Sequence, residues 1–173
     1  MSSMPSIMMG VTILLMILVN GCSSVRQAPA STREEGEKIM IGKIAEGELF
    51  KLYPVFQEHA ARYVPDQAMV EKLRMINKQT EILMFLGTWC PDSISEAPKF
   101  IKVYDAVKNP NLSLQLYGVD RAKQDGLGLT KKYDVKKIPA IIFLRDGREL
   151  GRIIEYPDKT MEADALAILM RAP

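Results

Sequence analysis

Residues 8–19 (MMGVTILLMILV) are apolar but for one Gly and one Thr, and no charged side chain precedes Arg26. Twelve residues make about 18 Å of helix, short of the roughly 30 Å hydrocarbon core of a bilayer. The run therefore reads as the apolar centre of a secretory signal, although residues 1–7 lack the usual Lys or Arg. From Ser23 to Lys38 the pattern lapses into Ser, Ala, Pro, Glu and Arg, the composition of a flexible tether. Periodicity returns over residues 40–62, where Ile44, Leu49, Leu52, Tyr53, Phe56 and Ala60 fall at helical spacing. Pro54 interrupts that run and predicts two short helices or a kink. Residues 66–77 predict a further amphipathic helix, with Met69, Leu73 and Ile76 on one side.

The period then changes. EILMFLG at 81–87 is a short apolar run without helical spacing, which predicts a buried strand. A helix is predicted over 92–108, a strand over 112–119, and partial helix over 122–133 around Gly126 and Gly128. Residues 140–144 (AIIFL) predict a strand, and Asp146-Gly147 is a hairpin turn signal leading to its partner at 149–155. A last helix follows at 160–171, capped by Asp158 or Thr160. Alternation of this kind predicts an α/β fold, a mixed central sheet with helices on both faces. The first two core strands, linked by a helix, should be parallel, and the final pair antiparallel.

Composition narrows the chemistry. A net charge of +2 over 173 residues, with no basic stripe, argues against a nucleic-acid partner. Two cysteines, Cys22 and Cys90, are too few for a disulfide framework or a Cys-rich metal site, and His59 is the only histidine. No metal or cofactor is expected. The 11 Met do not form a copper box, since five fall within the first 16 residues.

Cys90 carries the candidate chemistry. It stands in Trp89-Cys90-Pro91-Asp92-Ser93, after a predicted strand and at the start of a predicted helix. The free N–H groups and positive end of the helix dipole stabilise a thiolate there, while the Asp92 carboxylate opposes it. The sequence does not decide between them, and the alternative is an inert, buried cysteine. Ser93 has two compatible readings, a hydrogen bond to the Cys90 sulfur or a first-turn cap. Asp92 accepts a proton, orients a substrate, or simply complements the dipole, and these readings stay open. Trp89 either shields the sulfur and lines a groove or simply packs. Lys99, Lys102 and Lys108 read as a solvated helix face.

Two resemblances follow. Val19-Asn20-Gly21-Cys22 resembles the lipobox of bacterial lipoproteins, which implies cleavage before Cys22 and lipidation of it. Ser23, not Asp, follows that cysteine, which implies the outer membrane on its periplasmic face. From about residue 66 to 171 the chain resembles the thioredoxin family. Trp89-Cys90 ends the first core strand, Pro98 lies eight residues on, Ile138-Pro139 precedes a core strand where the family has its cis-proline, and Gly147 sits in the hairpin. The resemblance implies a thioredoxin-like fold and a substrate groove in which the backbone at Ile138 and Pro139 pairs with an extended polypeptide. There are three departures. Ser93 replaces the resolving cysteine, Met84 and Leu116 replace a buried carboxylate and lysine, and Pro91-Asp92 replaces Gly-Pro. A peroxiredoxin reading fails, because Leu83 and Gly87 stand where that family has Pro and Thr.

The expected organisation is a lipoprotein signal at 1–21, a tether at 22–38, an N-terminal helical extension at 39–65 and a thioredoxin-like domain at 66–173. The expected function is thiol–disulfide exchange through Cys90 alone, on thiols or disulfides of exported proteins, in the redox homeostasis of the bacterial cell envelope. Ser93 cannot resolve the mixed disulfide, so a substrate thiol or an external thiol reductant must. The alternative is a redox-inactive binding or scaffold lipoprotein of the same fold.

Overall fold

The computed structural model describes residues 33–34 and 37–171. The apolar run at 8–19, Cys22 and most of the expected tether lie outside the described residues. Late in the tether, Arg33–Glu34 (β1) and Glu37–Lys38 (β2) pair antiparallel. Then come Gly42–Ile44 (β3), Glu46–Leu52 (α1), Pro54–Arg62 (α2), Gln67–Arg74 (α3), Thr80–Leu86 (β4) and Pro91–Val107 (α4). Leu112–Gly118 (β5), Leu129–Lys132 (α5), Ala140–Arg145 (β6), Arg148–Ile154 (β7) and Met161–Leu169 (α6) complete the order. Among the described residues no helix is long and apolar enough to cross a membrane.

Strands β3 to β7 form one mixed sheet in the order β3-β5-β4-β6-β7. β4 and β5 are parallel, from Thr80 opposite Leu112 to Leu86 opposite Gly118, and β6 and β7 are antiparallel. The β6–β7 turn places both Asp146 (φ 51°) and Gly147 (φ 75°) in the left-handed region. That is the backbone the Asp-Gly pair favours and the one that matches strand twist. Pro54 starts α2 directly after α1, so the expected interruption is a break between two helices. Ile44 departs from expectation. It lies on the three-residue strand β3, antiparallel to β5 and opposite Leu116, not on a helix. Three residues are too few to show a period of two, and Ile44 also happens to fall in phase with the helical positions after it.

β4 has apolar side chains on both faces and divides the core. Ile82, Met84 and Leu86 join Ile141 and Phe143 of β6 beneath the large helices, with Phe56, Val70, Ile101 and Ile168. Leu83 and Phe85 face the other way, with Ala140, Ile142 and Leu144, Tyr117, Val119 and Ile138. Trp89, Leu129 and Tyr133 pack on this second cluster, and Cys90 belongs to it. Burying each large side chain contributes about 1.5–3 kcal/mol, so the two faces together outweigh any single polar contact in the molecule.

Helix ends are fixed by side chains. Asp66 Oδ1 accepts from the Ala68 and Met69 amides at 2.8 and 3.2 Å and caps α3. Thr160 Oγ1 accepts from Ala163 at 3.2 Å and caps α6, so of the two expected caps it is Thr160 that serves. No side chain caps α4, whose N-cap residue is Cys90. Beside that end of the sheet the backbone runs close: a Cβ on Gly118 would meet the Met40 carbonyl oxygen at 2.1 Å, so β5 must end in glycine.

Candidate active site

The turn from β4 into α4 is built on Gly87. Its carbonyl accepts from the Cys90 amide at 3.0 Å, and its own amide donates to Ser93 Oγ at 3.1 Å. A Cβ there would lie 2.9 Å from Ile138 Cδ1 and 3.0 Å from the Trp89 indole, so a side chain would displace one of them. Cys90 then takes an extended conformation (φ −91°, ψ 121°), which points the chain into the first turn of a 17-residue helix.

First-turn amides have no carbonyl four residues back to bond, and the aligned peptide dipoles leave positive partial charge at that end. Both set unpartnered N–H groups and positive partial charge beside the Cys90 sulfur. Pro91, at the first helical position, has no N–H to contribute, which leaves the amides of Asp92 and Ser93. The Ile138–Pro139 peptide bond is cis. The Ile138 carbonyl oxygen lies 3.8 Å from Cys90 Sγ. Cys90 is 8% exposed and is the free cysteine of the described residues.

The structure brings all six expected site residues of the domain, Trp89, Cys90, Asp92, Ser93, Ile138 and Pro139, to one end of the sheet. Trp89 is half-buried. Its Nε1 donates to the Val119 carbonyl at 3.0 Å, and the Arg121 guanidinium stacks 5.1 Å above its ring. Ser93 is wholly buried, and its hydroxyl accepts from Gly87. That bond ties the Gly87 turn to the helix and is neither of the two bonds expected of Ser93, though the hydroxyl keeps its own proton to give. Met84 and Leu116 are register partners on β4 and β5 and both are buried, so the place of the family's buried carboxylate and lysine is apolar here. Pro98 is buried inside α4. Cys22 lies outside the described residues.

Asp92 has a partner that the sequence did not suggest. Its Oδ1 accepts the hydroxyl proton of Tyr156, which stands just past β7. The Tyr156 hydroxyl is pushed up to about 12, first by this hydrogen bond, then by loss of water and by the Asp92, Glu96 and Glu155 carboxylates. Tyr156 is carried by a backbone tied to the proline loop: the Glu155 amide donates to the Pro139 carbonyl at 2.8 Å. Lys137 and Glu155 pair at 2.8 Å across the same junction. Glu96, one turn along α4 from Ser93, is buried and accepts from Ser95 and Lys99. Arg121, Glu96 and Tyr156 were thus missed; Glu96 lies on α4 one turn beyond Ser93, where helical spacing could have found it, whereas Arg121 and Tyr156 reach the site from places whose spacing to Cys90 follows no local rule. Among the described residues no three His, Cys, Asp or Glu side chains gather to hold a metal ion.

The sheet order, the Trp-Cys at the head of α4 and the cis-proline facing the sulfur define a thioredoxin fold. A family model described as Thioredoxin matches residues 55–167, and the chain belongs to that family. Thioredoxin of Mycoplasmopsis pulmonis (strain UAB CTIP) is 28% identical over 100 residues, covering 56% of this chain and 89% of that one. Thioredoxin H9 of Arabidopsis thaliana is 24% identical over 105 residues, covering 60% of this chain and 71% of that one. Among solved structures, a Pseudomonas aeruginosa protein described as of unknown function shares the fold, with a TM-score of 0.51 at 21% identity over 73% of this chain and 86% of that one.

Proposed function

We propose that the chain is a thiol–disulfide oxidoreductase working through Cys90 alone, and that Cys22 anchors it by lipid to the cell envelope, at the periplasmic face of the outer membrane. Membership of the thioredoxin family supports the reaction class. The observation that carries the reading is the seat of Cys90: an uncapped helix N-terminus with the Ile138 carbonyl 3.8 Å from the sulfur. The Cys90 thiolate attacks one sulfur of a disulfide in an exported protein. A Cys90–substrate disulfide forms, and the other substrate sulfur leaves as a thiolate that takes a proton from water. With serine at 93, the mixed disulfide ends in one of two ways. In the first, another thiolate of the substrate attacks the substrate sulfur, forms a new substrate disulfide and releases Cys90. In the second, an external thiolate attacks the Cys90 sulfur and releases the substrate as a dithiol, and a second external thiolate then frees Cys90 as the external disulfide forms. The first route isomerises the substrate, and the second reduces it as two external thiols are oxidised to their disulfide.

The test is adduct formation with oxidised glutathione on the full chain, followed at the Cys90 peptide by mass spectrometry. The expected result is a mixed disulfide at Cys90 that a thiol removes, and no adduct there in Cys90→Ser. A native protein that forms none, while the urea-unfolded chain does, overturns the exchange reading. The 8% exposure of Cys90 favours a second reading in that event, a binding module that holds its partner in the groove without turnover. Anchoring has its own test. The mature N-terminal peptide from the native host should begin at Cys22 and carry acyl chains; an unmodified Cys22 overturns it.

A further inference from the structure

Tyr156 belongs to no helix or strand, it is 55% exposed, and its backbone is nevertheless held firmly. Glu155 adopts a left-handed conformation (φ 59°) uncommon for a residue with a side chain. In that conformation its amide bonds the Pro139 carbonyl at 2.8 Å, and the next amide, of Tyr156, bonds the Ile154 carbonyl at 2.7 Å. The Lys137–Glu155 ion pair closes the same junction. Tyr156 is therefore fixed to the loop that supplies the Ile138 carbonyl, and its hydroxyl reaches the first turn of α4 at Asp92. A closed circuit results: Cys90 to Ile138 through the sulfur contact, Pro139 to Glu155 through the backbone, Tyr156 to Asp92 through the hydroxyl, and back along α4 to Cys90.

The circuit has a consequence for a sulfur anion. A thiolate at Cys90 shares the first helical turn with a carboxylate, a like charge that destabilises it. A hydroxyl donated to that carboxylate spreads its charge onto a neutral group and holds it at the Tyr156 side of the turn. We propose that Tyr156 is a positioning residue for thiol–disulfide exchange: by holding and part-neutralising Asp92 it favours the reactive, anionic form of Cys90. The proposal rests on the exchange reading above. The other charged groups around this turn are Glu96 on α4, Lys137 and Glu155 on the proline loop and β7 end, and Arg121 over Trp89. Glu96 and Glu155 each already have a cationic partner, Lys99 and Lys137, so Asp92 is the carboxylate whose charge the tyrosine governs. The raised Tyr156 hydroxyl fits this arrangement, since a tyrosine that donates to a carboxylate keeps its proton.

The experiment is the rate of Cys90 alkylation by iodoacetamide against pH, on the full chain, read at the Cys90 peptide by mass spectrometry. A small neutral reagent reports the thiolate whether or not any disulfide is exchanged, so failure of the exchange reading and failure of this one are separable. In Tyr156→Phe the curve should move to higher pH by about half a unit, which is about a threefold slower reaction on the rising limb of the curve. In Asp92→Asn it should move the other way. In the Asp92→Asn background, Tyr156→Phe should have no further effect, because the carboxylate it governs is gone. Thermal melting should change little in Tyr156→Phe, since the ring is retained and already faces water. An unmoved curve in Tyr156→Phe overturns the proposal. So does an equal shift in the presence and absence of the Asp92 carboxylate, which would mean that the ring acts by packing.

Discussion

At the scale of single residues, the serine at 93 stands where the resemblance to the thioredoxin family places a second cysteine. It removes the second thiol and spends its oxygen on the Gly87 amide, inside the fold and away from water. Ser93→Ala should therefore cost about 1–3 kcal/mol of stability, the price of a buried amide left without an acceptor. Urea unfolding measures it, and a loss well under that range would mean that the Gly87 turn finds another partner. The residues legible in the sequence are those whose meaning is local. Trp89-Cys90 needs only a strand before it and a helix after it, and Ile138-Pro139 is a dipeptide. Tyr156 was not legible. It is 64 residues from Asp92, nothing in its neighbours marks it, and only the folded β7 end brings its hydroxyl to α4.

At the scale of elements, periodicity found the long helices and the buried strands, and failed where packing overrides it. Strand β3 is held by pairing to β5 and has too few residues to declare itself. The end of α3 is likewise set from a distance: Asn109 Nδ2 donates to the Leu73 and Ile76 carbonyls at 3.0 and 2.8 Å, so the α4–β5 loop caps a helix more than 30 residues upstream. Between α1 and α4, Glu46 and Asp105 stand close. Burial first, then the Asp105 charge, raises the Glu46 carboxyl above its ordinary 4.5. The folded state thus holds a proton that the unfolded chain has already lost. The contribution is favourable below about 4.5 and is lost as pH rises through the higher folded value. Glu46→Gln removes the repulsion. It should raise the urea midpoint at pH 7 relative to the parent and shrink the difference as the pH falls below 4.5. A variant less stable at pH 7 would show that the Glu46 carboxylate makes a favourable contact instead.

At the scale of the whole molecule, the sheet separates the larger core cluster from the smaller one that contains Cys90. Cys90 packs with the smaller cluster, with Phe85, Tyr117 and Ile138, whereas the larger cluster on the far face contains Phe143 stacked edge-on to Phe100 at 5.9 Å. Phe85 and Phe143 are both wholly buried on adjacent strands, β4 and β6, yet they face opposite sides. Each truncated to alanine should cost about 3–5 kcal/mol, transfer and cavity together. The consequences at the sulfur should differ. Phe85 stacks on Tyr117 at 5.4 Å and lies near Tyr133 at 6.4 Å, so a cavity there opens beneath the wall that covers Cys90. A cavity at Phe143 opens under the helices, with the sheet between it and the sulfur. Under conditions where both variants remain folded, Phe85→Ala should alkylate faster at Cys90 than the parent, and Phe143→Ala at the parental rate. Equal acceleration in both, at equal loss of stability, would mean that Cys90 reacts through global opening and that the sheet does not insulate the site from its core.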